Sequence, residues 1–194
     1  MNTAVARTSR KVTRSIRTQA VALTASSGAM WVTFAANTLL GGALLQFGVV
    51  PRTALGLVGI LFAPFLHANL NHLLANTVPF LIFGWLVMFR DSRHFIPVSL
   101  YAMLGAGLLA WTIGAPHSVH VGASGVIFGY LGFLLLSGWY TRSFLSVVIS
   151  LGVAVLWGGT VMGVLPGTPG ISWQAHLGGF IGGVLAARRF RKKR

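Results

Sequence analysis

The chemistry open to this 194-residue chain rests on a few polar side chains set at particular spacings in an otherwise apolar sequence. Ser124 stands in Gly122-Ala123-Ser124-Gly125, where small neighbours let a substrate backbone approach its hydroxyl. His176 stands in Ala175-His176-Leu177-Gly178-Gly179, and His72 and Asn76 are four residues apart, which stacks them on one face of a helix. A hydroxyl, an imidazole and two further hydrogen-bond donors are the parts of acyl transfer: a nucleophile, a general base and groups that face a developing oxyanion. Phe128 follows Ser124 by one turn and is placed to offer a ring face to His176. Asn37 and Gln174 are the remaining polar residues of interest inside apolar stretches.

What is missing narrows the options. Asp91 is the one acid in the chain and there is no Cys. Paired-carboxylate glycoside chemistry, a calcium or magnesium cage, zinc-thiolate ligation, disulfides and a cysteine nucleophile are all excluded. A Ser-His-Asp triad is excluded too if Asp91 lies at the opposite membrane face from the serine, leaving a Ser-His dyad. None of the spacings among His67, His72, His117, His120 and His176 is a metal signature, so neither metal nor cofactor is expected. His117 and His120 are expected in a solvated outer loop.

The elements that position these groups must be membrane helices. Hydrophobic residues make up 55% of the chain and charged ones 8%, and its mean hydropathy is +0.77; soluble domains carry roughly a quarter charged residues. A helix needs about 20 mostly apolar residues to cross a bilayer. Charges, prolines and polar turns cut the chain into six such segments at 29–50, 70–89, 96–113, 121–140, 144–165 and 171–187. The expected fold is an all-α, polytopic bundle of six transmembrane helices over 29–187, flanked by basic tails at 1–28 and 188–194. Residues 51–69, apolar but broken by Pro51 and Pro64, are expected to lie in the interface or fold back into it.

A net charge of +14 would suggest nucleic acid in a soluble protein, but these charges sit at the ends of apolar runs. Because cytoplasmic segments collect Lys and Arg, both tails and the turns at 90–95 and 141–143 are assigned to the cytoplasm. This leaves Arg52 as the single basic residue outside. An inner (plasma) membrane protein with both termini cytoplasmic is the expectation, and nucleic acid is not a partner. Counting at 1.5 Å per residue from the cytoplasmic arginines places Ser124, His72, Asn76 and His176 within about 9 Å of one another in depth. Gly178/Gly182 and Gly179/Gly183 form overlapping G-x-x-x-G pairs, a face for close helix approach that Gly125, Gly129 and Gly132 can meet.

Taken in order, His67-x4-His72-x3-Asn76, Gly122-Ala123-Ser124-Gly125 and Ala175-His176-x2-Gly179-x3-Gly183 resemble the rhomboid family of intramembrane serine proteases over roughly 51–187. The resemblance implies that Ser124 is the nucleophile and His176 its base. His72, Asn76 and the Ser124 backbone amide would form the oxyanion hole, with His67, Gly122, Gly125, Phe128, Gly179 and Gly183 in support. Substrates would be membrane proteins cut within or beside a transmembrane helix, in the lipid bilayer and without a cofactor. The alternative is an inactive rhomboid-like protein that binds or chaperones membrane proteins; such relatives typically lack the serine or the histidine. This chain departs from many members in lacking a Trp-Arg pair in the first external loop, where Val58 and Gly59 stand, and in having Phe at 128 where Tyr is common.

Overall fold

The computed structural model describes residues 3–167 and 170–191, with side chains from residue 15 onward except at 90. Residues 192–194 of the basic C-terminal run, and the side chains of Arg7, Arg10, Lys11 and Arg14, lie outside that description. Seven α-helices appear among the described residues: α1 (Thr3–Leu39), α2 (Ala54–Phe62), α3 (Leu70–Arg90), α4 (Phe95–Ile113), α5 (Ser124–Thr141), α6 (Phe144–Trp157) and α7 (Trp173–Arg189). The chain is a polytopic helical bundle in a lipid bilayer. Among the described residues, four stretches are long and apolar enough to cross a membrane: Leu70–Phe89, Ser92–Ile113, Ser124–Thr141 and Phe144–Val164. The other two expected spans fall outside this group. The α1 helix is diluted by Arg, Ser, Thr and Gln, and α7 has 17 residues of which four are Gly and two Arg.

The first expected span is displaced. Helix α1 starts far upstream of 29 and ends at Leu39 rather than near 50. Gly41 and Gly42 take φ of 61° and 90°, the left-handed region that glycine enters without strain, and the Gly42 amide returns to the Asn37 carbonyl at 2.8 Å. The buried Asn37 side chain accepts from the Leu44 amide at 3.0 Å. Asn37 is therefore a helix-ending residue. Residues 51–69 hold only the nine-residue α2 and a 3₁₀ turn, Ala63–Phe65. At 1.5 Å per residue this is about half the thickness of a hydrocarbon core, in agreement with a non-spanning segment.

Arg52, the exception in the charge pattern, ties this segment down. Its guanidinium donates to the carbonyls of Thr112 (3.1 Å) and Gly114 (2.9 Å) at the end of α4, and its amide donates to the Trp111 carbonyl at 3.0 Å. The Trp111 indole donates in return to the Thr53 carbonyl at 2.8 Å. A cation is thus spent on carbonyls that a helix C-terminus leaves unpaired.

Helix α5 is the centre of the bundle, with 67% of its span buried against 17% for the span containing α6. The glycines of α7 set the packing. A Cβ at Gly179 or Gly183 would collide with the carbonyl oxygens of Gly125 and Gly129 on α5, whereas one at Gly178 or Gly182 would collide with those of Gly105 and Tyr101 on α4. The two overlapping motifs therefore serve two neighbours, offset by one residue. Small residues admit this backbone approach, which side chains would prevent.

Candidate active site

Ser124 is the first residue of α5, where the opening amides of the helix have no intrahelical partner. The turn before it requires Gly122 twice over. Its φ is 111°, and a Cβ there would lie 2.5 Å from Nε2 of His72. The imidazole of His72 thus rests on the backbone leading into Ser124. His72 occupies the first turn of α3, which Asn69 caps by accepting from the His72 amide at 2.9 Å. One turn on, the buried Asn76 donates from Nδ2 to the His72 carbonyl at 2.7 Å. Its Oδ1 has no hydrogen-bond partner among the described residues. His67, fully buried, meets His72 edge-to-face at a centroid distance of 5.1 Å and braces that ring.

His176 lies in the first turn of α7, whose N-cap Ser172 accepts from the Ala175 amide at 3.2 Å. Its ring stacks on Phe128, with centroids 4.0 Å apart and planes inclined by 11°. Nδ1 is 2.9 Å from the carbonyl oxygen of Gly163. A carbonyl only accepts, so Nδ1 carries the proton and Nε2 keeps its lone pair. Gly163 belongs to the 3₁₀ segment Gly158–Val164 that continues α6, and a Cβ there would meet the Phe128 ring at 2.7 Å. Three elements therefore fix one imidazole.

Ser124, His72, Asn76, Phe128 and His176 all line one cavity of about 900 Å³. Gln174 lines it too, as do Trp157, Ser118, His120 and Ser172. The glycine pairs bring Gly125 beside Ala175, so the serine and histidine enter the cavity from adjoining first turns. Among the described residues no hydrogen bond joins the Ser124 hydroxyl to His176; unliganded enzymes commonly tighten that bond only when substrate is bound. Asp91 does not line the cavity. It caps the turn after α3 and pairs with Arg93 at 2.8 Å. The hydrogen bond from Arg93 holds its carboxyl below the usual range.

The expected site residues thus come together, with two additions. The Gly163 carbonyl has no side-chain signature by which a sequence would reveal it. His120 is not a solvated loop residue like the exposed His117, for it is half-buried and bonded through both ring nitrogens. No group of three or more His, Asp or Glu side chains suited to a metal ion occurs among the described residues.

Comparison with known proteins agrees with this architecture. Residues 54–193 match the family model described as a Rhomboid domain. An uncharacterized protein of Mycobacterium tuberculosis is 40% identical over 159 residues, covering 78% of this chain and 66% of that protein, so the chain spans just under two thirds of this relative's length. Rhomboid-like protein 11, chloroplastic, of Arabidopsis thaliana is 38% identical over 90 residues, 45% of this chain and 32% of the relative. RHOMBOID-like protein 4 of the same plant is 32% identical over 134 residues, 65% and 32% respectively. A family model that covers most of the chain, on a bundle whose helix ends gather a serine and a stacked, oriented histidine, establishes that this chain belongs to the rhomboid family.

Proposed function

We propose that the protein is an intramembrane serine endopeptidase that uses a Ser124-His176 dyad. The observation that carries the reading is the single cavity holding Ser124, His176, His72 and Asn76, with His176 oriented by Gly163 and Phe128. A base in a dyad must be held in one tautomer without a carboxylate. The Gly163 carbonyl supplies the acceptor at Nδ1 that an aspartate provides in a triad, with no added negative charge.

In this reading the Ser124 hydroxyl attacks the scissile carbonyl carbon while its proton passes to Nε2 of His176. The resulting oxyanion accepts hydrogen bonds from the Ser124 amide, the His72 ring and the free hydrogen of Asn76 Nδ2. Collapse of the tetrahedral intermediate breaks the peptide C–N bond, and the imidazolium returns its proton to the departing amine. Water, activated by the same histidine, then hydrolyses the acyl-enzyme. The substrate is a membrane protein whose helix end enters the cavity. The basic tails and turns support an inner-membrane location with both termini in the cytoplasm and the cavity facing outward. Six crossings then require α1 to supply the first, so the membrane domain begins upstream of residue 29 and runs to about 187, with 188–194 as a cytoplasmic extension.

The test is cleavage of a model single-span substrate by purified protein in detergent. Wild type should cut it, Ser124→Ala and His176→Ala should each abolish the product, and a chelator should leave the rate unchanged. Undiminished cleavage by Ser124→Ala would remove the assignment.

A further inference from the structure

His120 takes no part in the acyl-transfer scheme, yet it sits where three segments of the site converge. Its backbone pairs with Val49 through two bonds of 2.9 Å, which fastens the stretch before Ser124 to the stretch leading into residues 51–69. Its side chain reaches in the other direction. Nε2 is 2.9 Å from the Ser118 hydroxyl and Nδ1 is 2.6 Å from the hydroxyl of Ser172, the N-cap of α7.

The direction of every bond follows from the ends of this chain. Ser118 donates to the Ala115 carbonyl at 2.7 Å, so its oxygen is left to accept, and Nε2 of His120 must carry the proton. With Nε2 protonated, the neutral ring has only a lone pair at Nδ1, so the Ser172 hydroxyl, which accepts from the Ala175 amide, donates its own hydrogen there. The series therefore runs Ala175 N–H to Ser172, Ser172 O–H to Nδ1, Nε2–H to Ser118 and Ser118 O–H to the Ala115 carbonyl. Each donor has one acceptor. Burial lowers the His120 pKa and so favours the neutral form that the series needs. Both ring nitrogens are engaged, which disqualifies His120 as a base despite its place in the cavity wall. Gly114 leaves room for the ring, since a Cβ there would lie 2.6 Å from Nε2.

We propose that His120 is a positioning residue: it locks the loop that presents Ser124 onto the N-cap of the helix that presents His176, and thereby sets the spacing of the dyad. The proposal rests on the dyad reading above. His120 lies four residues before Ser124 and Ser172 four before His176, so one imidazole spans the gap between the two first turns. Glycine contacts bring α5 and α7 together along their lengths, but among the described residues this is the side-chain link between the segments entering them.

The test has a catalytic arm and a structural arm. His120→Ala should lower kcat for a model transmembrane substrate by about 10- to 100-fold, the scale of a misplacement of order 1 Å, with KM changed by less than about twofold. His120→Asn keeps an acceptor near the Nδ1 position and should recover most of the loss, whereas His120→Phe, similar in shape but unable to accept, should not. In the double variant His120→Ala/Ser172→Ala the losses should be far from additive. The structural arm exploits the absence of cysteine: spin labels at Val119→Cys and Ile171→Cys, both exposed positions, report the loop-to-α7 distance directly. That distribution should be narrow in the parent and broadened by His120→Ala. An unchanged distribution, or an active parent whose His120→Ala variant keeps its kcat, overturns the clamp. A parent that never cleaves while its distribution broadens as expected overturns the dyad reading and leaves the loop-to-α7 link standing.

Discussion

The Nδ1 atom of His176 is held 2.9 Å from the carbonyl oxygen of Gly163, while the face of the same ring lies 4.0 Å from that of Phe128. One contact sets the tautomer and the other sets the plane. In a chain whose only acidic side chain is tied to Arg93, these two contacts would, in the proposed dyad, do the orienting that a triad delegates to an acid. Phe128→Ala should therefore reduce kcat by about 10- to 100-fold through loss of base orientation. Phe128→Tyr, which keeps the ring, should stay within a few-fold of wild type. Steady-state cleavage assays on the three proteins measure this. Equal activity in the alanine variant would show that stacking is dispensable.

The proposed dyad makes a second demand, concerning Asp91. Its carboxyl is stabilised in the ionised form chiefly by the hydrogen bond from Arg93, so its contribution to stability is present above the ordinary carboxyl pKa and lost as pH falls through the lowered value. Arg93 is exposed and Asp91 only partly covered, so solvent screens the pair and that contribution is small. Asp91→Ala should consequently leave both the cleavage rate and the neutral limb of the pH–rate profile unchanged. A loss of orders of magnitude would mean that the acid takes part in the chemistry.

Helix α7 divides its glycines between two partners, which makes their substitutions distinguishable. Gly179→Ala and Gly183→Ala press on α5 carbonyls and should separate the helices that carry Ser124 and His176. Gly178→Ala and Gly182→Ala press on α4 instead. All four should destabilise by about 1–3 kcal/mol or more, as overpacking does. The α5-facing pair should lose proportionately more activity at equal residual stability. Thermal unfolding in detergent together with cleavage rates tests the ordering.

Much of this arrangement was legible from residue types and spacing. Helices α3 and α4 begin and end within a residue of expectation because Asn69, Arg90 and Gly114 mark their limits chemically. The gathering of His72, Asn76, Ser124 and His176 followed from depth counting and from glycine periodicity. Other features could not be read this way. The Gly41-Gly42 stop of α1 looks like packing glycine inside an apolar run until the Asn37 cap is seen. The Gly163 carbonyl and the Ser118-His120-Ser172 series depend on tertiary placement, although Ser172, three residues before Ala175 at the start of an apolar run, carried an N-cap signal. Arg52 appeared only as an exception to the charge rule. Its role as a cap for α4 explains why the exception is tolerated.

That role is itself open to measurement. Arg52→Ala removes charged donors from two carbonyls and should cost about 1.5–3 kcal/mol, seen as a lower unfolding temperature. Because Arg52 does not line the cavity, the folded fraction should keep a near-normal KM. Unaltered thermal stability would show that solvent serves those carbonyls equally well.

The central claim is that Ser124 is a nucleophile activated by His176, and covalent labelling addresses it most directly. After incubation with a fluorophosphonate, peptide mass spectrometry of the wild-type protein should find one adduct, on Ser124, formed at a rate that falls by orders of magnitude in His176→Ala. An adduct absent from Ser124 in protein that is folded, or one that forms equally fast without His176, would contradict the account.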